Sequence, residues 1–375
     1  MSETRIMELD ELGQSAWLDH ISRSLIDTGK LNNLIKVGLR GMTSNPTIFD
    51  KAISSSADYD AKILELTKSG RSIFQIYDDL TVKDVQDAAD IFLSVYDETN
   101  GLDGYVSLEI NPELAYKADE TIKEGMRLHQ KVSRPNVMLK VPATDEGFIA
   151  VEELVAAGIN VNVTLIFSQA QYENTANAYL RGIKRFLECN PDAASIRSVA
   201  SVFISRIDTL VDKMLDELMV KEKDAQKKER LRSLCGRAAV ANSARIYRKY
   251  LDIFTSDEFD KFKDKKVNTQ RTLWGSTSTK NAAYSDIKYV TELIAKNTVN
   301  TIPENTLNAF LDHGEAKVAL TSDASEAENI INSLNDFCID INEICAKLLK
   351  DGVIAFEKSF KNLLEHIEAK VKELS

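Results

Sequence analysis

The sequence of 375 residues has little glycine and proline, few cysteines and histidines, and no long apolar run. Its 15 glycines and 6 prolines favour a helix-rich protein with short loops. No run of about 18 apolar residues occurs, so we expect no membrane span. The first residues are polar and acidic, unlike a secretory signal. These absences predict a protein of the cytoplasm.

Basic residues are outnumbered, 47 against 58 acidic ones, which gives a formal net charge of -11. Nucleic-acid and anionic-membrane surfaces need a basic face, so neither partner is expected. A small phosphorylated ligand remains possible if a few cations are gathered locally.

Cofactor motifs are also missing. The four cysteines have no CxxC spacing, and the four histidines show no HxH or HExxH spacing. We therefore expect reduced thiols and no metal site. The sequence contains no GxxxxGK[ST] motif, no GxGxxG after a strand and no GxSxG elbow, so no nucleotide cofactor is expected either.

What the sequence does contain is a repeated alternation of short apolar runs with longer amphipathic stretches. This alternation is typical of βαβ units, and eight such runs predict an α/β fold, a single (β/α)8 barrel domain over residues 1–375. The eight candidate strands are Gln14–Asp19, Leu39–Ser44, Tyr105–Ile110, Val137–Pro142, Ile159–Phe167, Ser198–Ile204, Thr269–Trp274 and Thr298–Ile302.

Helical segments are expected to extend the barrel near residues 50–102, near 205–268 and at the C-terminus near 326–374. Thr81–Asp84 reads as a capping box that begins a helix. At the C-terminus we expect two long helices, near Glu326–Lys350 and Gly352–Leu374. An apolar stripe on the last helix is expected to pack on the barrel rather than on a second subunit; its residues are Phe356, Phe360, Leu363, Leu364, Ile367 and Val371.

Candidate chemistry lies in polar residues inside apolar strands. Lys140 interrupts Val137–Pro142, and a lysine in a buried strand loses hydration, which frees its amine as a nucleophile. Glu109 interrupts the preceding strand. Alternatively, Lys140 extends to solvent near the strand end and Glu109 is paired with a neighbouring cation.

The fifth strand places Asn160, Asn162 and Thr164 on one face. The outer face of a barrel strand is covered by helices, so this polar face should point inward, where each group needs a partner. Asp19 ends the first strand, where on its own it is better explained as a cap of the helix that follows. In the sixth strand Ser201 and Phe203 share a face, and Arg206 follows just beyond it. A lysine, carboxylates, amides and hydroxyls without a metal fit Schiff-base carbonyl chemistry.

Motifs along most of the chain resemble those of the transaldolase family, in particular its longer bacterial members. The matching stretches, in the family's order, are Trp17–Asp19, Thr43–Phe49, Ser107–Ile110, Lys140–Thr144, Gly158–Ser168, Ala200–Asp208, Leu273–Trp274, Ser276–Thr277, Thr279–Asn281 and Asn297–Thr301. The resemblance implies transfer of a dihydroxyacetone unit between sugar phosphates, without a cofactor. The donor would be sedoheptulose 7-phosphate or fructose 6-phosphate, and the acceptor an aldose phosphate.

The resemblance also implies roles for individual residues. Lys140 would form the Schiff base, and Asp19 would take the proton of the C4 hydroxyl. Glu109 would act as acid and base through a water held with Thr164. Amides and a phosphate site complete the implied set: Asn45 and Asn162 for the substrate hydroxyls, and Ser201, Phe203, Arg206 and Lys280 toward the phosphate end.

The chain departs from the usual family residues at Asn111, Gly275, Ser278 and Ala282. Ser278 stands where the family usually has glycine, so it is expected to alter the loop that carries Lys280. Two other functions stay open from the sequence: a simple class I aldolase acting on fructose 6-phosphate, and a binding protein on the same barrel. The chain is expected to be a monomer or a homodimer.

Overall fold

In the computed structural model, which describes residues 4–375, eight parallel strands close into a barrel in chain order. The last strand pairs with the first, and Ala16 lies opposite Asn300. The predicted (β/α)8 barrel is confirmed. The strands are β1 Gln14–Asp19, β2 Gly41–Thr43, β3 Tyr105–Glu109, β4 Val137–Pro142, β5 Val161–Ile166, β6 Ser198–Phe203, β7 Arg271–Gly275 and β8 Thr298–Ile302.

Helices surround the barrel and fill the long gaps between strands. Within residues 4–375 they are α1 Arg5–Glu11, α2 Arg23–Asp27, α3 Lys30–Lys36, α4 Pro46–Ser54, α5 Asp60–Lys68, α6 Ile73–Glu98, α7 Ala118–Val132, α8 Asp145–Ala156, α9 Gln169–Cys189, α10 Ser205–Lys221, α11 Ala225–Leu234, α12 Ala238–Phe254, α13 Asp257–Asp260, α14 Lys288–Thr291, α15 Glu304–His313, α16 Ser325–Asn335 and α17 Ile341–Leu374. Two short 3-10 turns are Pro112–Leu114 and Lys263–Lys265.

A layer of large side chains fills the barrel interior. It consists of Trp17, Tyr105, Met138, Val199, Leu273 and Val299. Because side chains alternate along a strand, the residue two positions later in each strand points to the same face, one layer nearer the carboxyl ends. Those next residues are Asp19, Ser107, Lys140, Ser201, Gly275 and Thr301. The apolar layer is therefore the floor on which a polar layer rests.

The amino-terminal end of the barrel is closed by a buried ion pair. Asp103 is fully buried and lies 2.8 Å from Arg271, and it also accepts hydrogen bonds from Ser15 Oγ at 2.7 Å and Trp17 Nε1 at 3.1 Å. Several donors share this one carboxylate, which offsets the cost of burying it. A cavity of about 280 Å³, lined by Met138, Val199 and Arg271 among others, remains beside this ion pair, and a larger cavity opens at the opposite end.

The structure corrects three details of the prediction. Thr81 does not begin a helix: α6 starts at Ser72, whose hydroxyl and the Gln75 side chain form the capping box, while the Thr81 hydroxyl bonds the Tyr77 carbonyl in mid-helix. The break between the last two helices lies at 336–340, so α17 runs unbroken through Gly352.

Asn160 is the third correction. It precedes β5, and its side chain donates to the Pro135 carbonyl and accepts from the Arg197 backbone amide. It joins loops at the amino-terminal end of the barrel, away from the other polar residues of this strand. The apolar stripe of α17 packs on α4, α5 and α6, as predicted. No helix among residues 4–375 is long and apolar enough to cross a bilayer.

Candidate active site

A cavity of about 460 Å³ opens at the carboxyl ends of the strands. Polar residues of six strands, a turn of α4 and one aromatic residue of α17 form its wall. The residues at its surface include Asp19, Thr43, Asn45, Lys51, Lys140, Thr164, Ser201, Phe203, Arg206, Ser276, Lys280, Thr301 and Phe356. The structure thus brings most of the sequence-predicted site residues to one place, the usual position for a barrel's active site.

Lys140 lies on the floor of this cavity, and its side chain is only 5% exposed. Its register partner across β3 is Glu109, and the Nζ atom lies 3.1 Å from Glu109 Oε2. The same Nζ donates to the Ser44 carbonyl at 3.0 Å. Burial raises the pKa of Glu109, although the Lys140 charge opposes this. The carboxyl is therefore suited to hold and release a proton beside the amine.

Asp19 stands across the cavity at the end of β1. Its Oδ1 accepts a hydrogen bond from Thr43 Oγ1 at 2.7 Å, and Thr43 in turn lies 2.6 Å from Thr301 Oγ1. Burial raises the pKa of Asp19, while the Lys140 charge and the Thr43 hydrogen bond lower it. The structure places no cap bond on Asp19; the following helix is capped by the Ser22 side chain. The capping explanation for Asp19 is therefore wrong.

Thr164 ends the regular part of β5, opposite Pro142 of β4. Its hydroxyl is buried and makes no hydrogen bond within residues 4–375. Immediately after it the register with β6 shifts, and Leu165 adopts φ 60. Such a bulge re-aims the strand, and a non-glycine residue at positive φ costs about 1–3 kcal/mol. The strained backbone at Leu165 therefore directly follows Thr164, whose buried hydroxyl is free and lines the same cavity as the Lys140 amine.

Asn162 lies opposite Lys140, one layer beneath the cavity surface, and is fully buried. Its Nδ2 donates to Ser107 Oγ at 3.0 Å, and its Oδ1 accepts from Ser201 Oγ at 2.6 Å. The single hydroxyl proton of Ser201 is therefore used on Asn162. Because a phosphate ester accepts hydrogen bonds, the geometry favours Ser201 as the residue that orients Asn162 over a direct phosphate ligand.

Cations gather at the other end of the cavity. Arg206 follows β6 and stacks on Phe203, with 5.4 Å between its Cζ and the ring centre. Burial lowers the pKa of its guanidinium, although the Asp351 charge opposes this, and no carboxylate of residues 4–375 lies within 4.0 Å of it. Lys280 is exposed at the rim, where it donates to Ser278 Oγ at 2.7 Å. A desolvated guanidinium without a carboxylate partner is suited to a ligand anion.

Comparison with known proteins agrees with this arrangement. The family model described as "Transaldolase/Fructose-6-phosphate aldolase" matches residues 16–367. The chain is 43% identical to "Transaldolase" of Trichodesmium erythraeum (strain IMS101) over all of both chains. It is also 41% identical to the proteins of that name from Saccharopolyspora erythraea, over 99% of both chains, and Neisseria gonorrhoeae, over 96% of this chain and 99% of the other.

The chain belongs to the transaldolase/fructose-6-phosphate aldolase family. The family match confirms the resemblance seen in the motifs, and members of this family are enzymes. The family's (β/α)8 barrel is the fold observed.

The expected effect of Ser278 on the Lys280 loop does not appear in the backbone. The residue at positive φ in this loop is Ser276, at φ 55, and its hydroxyl lies 3.0 Å from Ser205 Oγ. Ser278 instead supplies the hydroxyl oxygen that accepts a hydrogen bond from Lys280 Nζ. This departure from the usual family residue therefore changes the side-chain contact of the lysine rather than the turn.

Sequence reasoning missed several cavity residues. Thr43 is register partner of Asp19, so knowledge of strand pairing would have found it. Lys51 lies one turn after Thr47 on α4, and this helical spacing was a signal that the sequence offered. Asn45 itself caps α4 by accepting from the Ile48 amide at 3.0 Å. Phe356 had no such signal, because it is remote in sequence and reads as core.

Among residues 4–375, no group of three or more histidine, cysteine or acidic side chains is arranged to hold a metal ion. The expectation of a metal-free reaction stays a prediction.

Proposed function

We propose that this protein is a transaldolase that moves a dihydroxyacetone unit between sugar phosphates through a Schiff base on Lys140. The reaction would convert sedoheptulose 7-phosphate and glyceraldehyde 3-phosphate into erythrose 4-phosphate and fructose 6-phosphate. The observation that carries the proposal is the buried Lys140 amine, 3.1 Å from Glu109, on the floor of a cavity whose far end holds an unpaired arginine.

In the first step the Lys140 amine attacks the ketose C2 carbonyl and gives a carbinolamine. Loss of water from this intermediate needs an acid near the nitrogen. Glu109 is that acid, because burial raises its pKa and its carboxyl lies against Nζ. The Thr164 hydroxyl, which is buried and has no hydrogen-bond partner, would hold the departing or attacking water.

In the second step the C3–C4 bond breaks, and the iminium accepts the electron pair as an enamine. Asp19 takes the proton of the C4 hydroxyl, then returns it when the acceptor aldehyde forms the new bond. Its raised pKa fits both directions of this transfer. Asn45, which lines the cavity, would hold a substrate hydroxyl, and the buried Asn162 would support the cavity wall from beneath through Ser201.

Arg206 would hold the substrate phosphate, assisted by Lys280. Lys51 adds a third cation to the cavity wall. These cations form a local basic site in a chain with a net charge of -11. The chain would act in the cytoplasm as a monomer or homodimer.

The test is to trap the enamine. The protein is incubated with fructose 6-phosphate, reduced with borohydride and mapped by mass spectrometry. We expect a three-carbon adduct on Lys140 and none in Lys140→Arg, which keeps the charge but forms no productive Schiff base. An adduct on another lysine, or full activity of Lys140→Arg, would refute the assignment.

The same preparation separates the remaining functions. A transaldolase turns over fructose 6-phosphate continuously, with release of glyceraldehyde 3-phosphate, only when an aldose phosphate acceptor such as erythrose 4-phosphate is present. Release of dihydroxyacetone at an equal rate without acceptor would identify a simple aldolase. Binding of sugar phosphate without turnover would identify a binding protein.

A further inference from the structure

The C-terminal helix α17 contributes a wall of the cavity through Phe356. The Phe356 ring is buried, and its centre lies 5.9 Å from Lys140 Nζ. It also contacts Phe203, with 6.3 Å between ring centres and 61° between ring planes. No other side chain of α17 lines this cavity. The nitrogen that would carry the Schiff base therefore faces an aromatic ring from the last helix of the chain.

Phe356 also borders a second, smaller space. A void of about 10 Å³ is lined by Phe356 together with Glu109, Pro142 and Leu165 among others. A void of this size is near the lower limit for a single water molecule. The ring thus borders both the substrate cavity and the surroundings of the Glu109 carboxyl.

The helix that carries Phe356 is held in place by polar contacts between α17 and the segment that follows β2. Thr47 Oγ1 donates to Ser359 Oγ at 2.8 Å, and His366 Nδ1 lies 2.6 Å from Asp50 Oδ1. Lys370 donates to the Ser56 carbonyl at 2.8 Å. The helix is therefore tied to the same segment that carries Asn45, so its position over the cavity is fixed.

We propose that Phe356 keeps water from the enamine on Lys140 and so directs the reaction to transfer instead of cleavage. This inference rests on the proposed transaldolase activity. Transfer requires that C3 of the enamine attack an aldehyde. In the competing route a water molecule protonates C3, water then adds to C2, and the C2–N bond breaks. That route frees dihydroxyacetone and the lysine amine; it consumes the water released when the Schiff base formed, and nothing is oxidised or reduced.

An aromatic ring suits this task in two ways. Its apolar face gives water no hydrogen-bond partner beside C3. It also faces a nitrogen that is positively charged in the iminium, within the range in which a cation interacts with a ring. An aliphatic side chain of similar volume would preserve part of the first effect and none of the second.

The chain offers a matched control one turn further along α17. Phe360 is also buried on this helix, but it packs against Tyr77, 5.1 Å away between ring centres, and lines neither space. The experiment compares Phe356→Leu with Phe360→Leu. It measures dihydroxyacetone released from fructose 6-phosphate without acceptor, by NADH-coupled reduction, and sedoheptulose 7-phosphate formed when erythrose 4-phosphate is added as the acceptor.

We expect the ratio of cleavage to transfer to rise about tenfold in Phe356→Leu and to stay at the wild-type value in Phe360→Leu. The amount of adduct that borohydride can still trap, at increasing times after fructose 6-phosphate is removed and without acceptor, should also fall faster in Phe356→Leu. If Phe356→Leu does not fold, as judged by circular dichroism, Phe356→Met replaces it, since methionine fills a similar space with more flexibility.

Equal ratios in folded Phe356 and Phe360 variants would overturn the inference and leave the transaldolase activity standing. A wild-type protein that forms no adduct and transfers nothing would instead refute the proposed function itself.

Discussion

The Asp19 carboxyl is governed by two opposing influences at the scale of single residues. Burial favours the protonated form, whereas the Lys140 charge and the Thr43 hydroxyl favour the ionised form. A general base must be ionised before it can take a proton, so the rate should fall as the pH falls through the pKa of Asp19. The Thr43 hydrogen bond therefore extends activity toward acid pH.

Thr43→Val tests this balance, because valine keeps the shape and removes the donor. Losing one hydrogen bond to the ionised form raises the pKa of Asp19, so the acid limb of the kcat profile should move about 0.5–1 unit to higher pH. Thr301→Val is the control: it removes the neighbour of Thr43 and leaves the Thr43–Asp19 bond in place. An unmoved acid limb in Thr43→Val would show that another group governs it.

Strand alternation was enough to single out Lys140, Glu109 and Thr164 from the sequence, because a polar residue inside a buried parallel strand needs a reason. Asp19 was not separable from a helix cap, since both explanations place a carboxylate after a strand. Ser201 illustrates a different limit. Its position in the sequence predicts the inner face, but only the structure shows that the Ser201 hydroxyl already donates its hydrogen bond to Asn162.

At the scale of secondary-structure elements, the barrel depends on one close approach between β1 and β2. Gly41 lies opposite Trp17, and a Cβ atom built on Gly41 would lie 2.6 Å from the Trp17 ring. The ring is rigid and fully buried, so neither partner can yield easily. The large side chain that fills the barrel interior is thus accommodated by the smallest residue beside it.

Gly41→Ala should lower the free energy of unfolding by about 1–3 kcal/mol, the usual cost of overpacking a core. Gly275→Ala is the comparison, since it adds the same methyl group inside β7, where the nearest atoms lie 3.6 Å from the new Cβ. Urea unfolding followed by circular dichroism measures both. A Gly41→Ala protein as stable as Gly275→Ala would contradict this explanation of Gly41.

Elements were predictable where local sequence and tertiary environment agree. The bounds of β1, β4 and β8 are those predicted, because each is an apolar run ended by polar or turn residues. The start of α6 was misplaced, since Thr81 and Asp84 have the residue types of a cap while their backbone continues a helix begun at Ser72. Gly352 was taken for the first residue of the last helix, but it lies within α17, where packing outweighs its low helix propensity.

At the scale of the whole molecule, buried carboxyls connect stability to pH. Asp208 of α10 forms no ion pair within residues 4–375, although the Lys288 charge lowers its pKa; it accepts from the Ala239 amide at 2.7 Å and from the Tyr289 hydroxyl at 2.8 Å. Burial raises the pKa of Asp208 to about 6. The folded protein therefore binds a proton at a pH where the unfolded chain, with a pKa near 3.9, does not.

This difference makes the folded protein more stable at lower pH. The contribution of Asp208 to stability is fully present below about pH 4 and is lost as the pH rises through about 6, a change of at most about 3 kcal/mol. Asp208→Asn should remove that part of the pH dependence. Tyr289→Phe should move it to higher pH, because the lost hydrogen bond lowered the pKa. The test is urea unfolding at several pH values from 4 to 7; superimposable profiles for all three proteins would exclude Asp208 as the source.

The closure of the active site by α17 has a consequence for how the protein is made. Lys140, Asp19 and Arg206 all precede residue 207, whereas Phe356 and the bonds that fix α17 belong to residues 341–374. During synthesis the eight strands, which end at Ile302, are made before the helix that carries Phe356. A nascent chain that has not yet reached Phe356 would thus have the amine without this ring beside it.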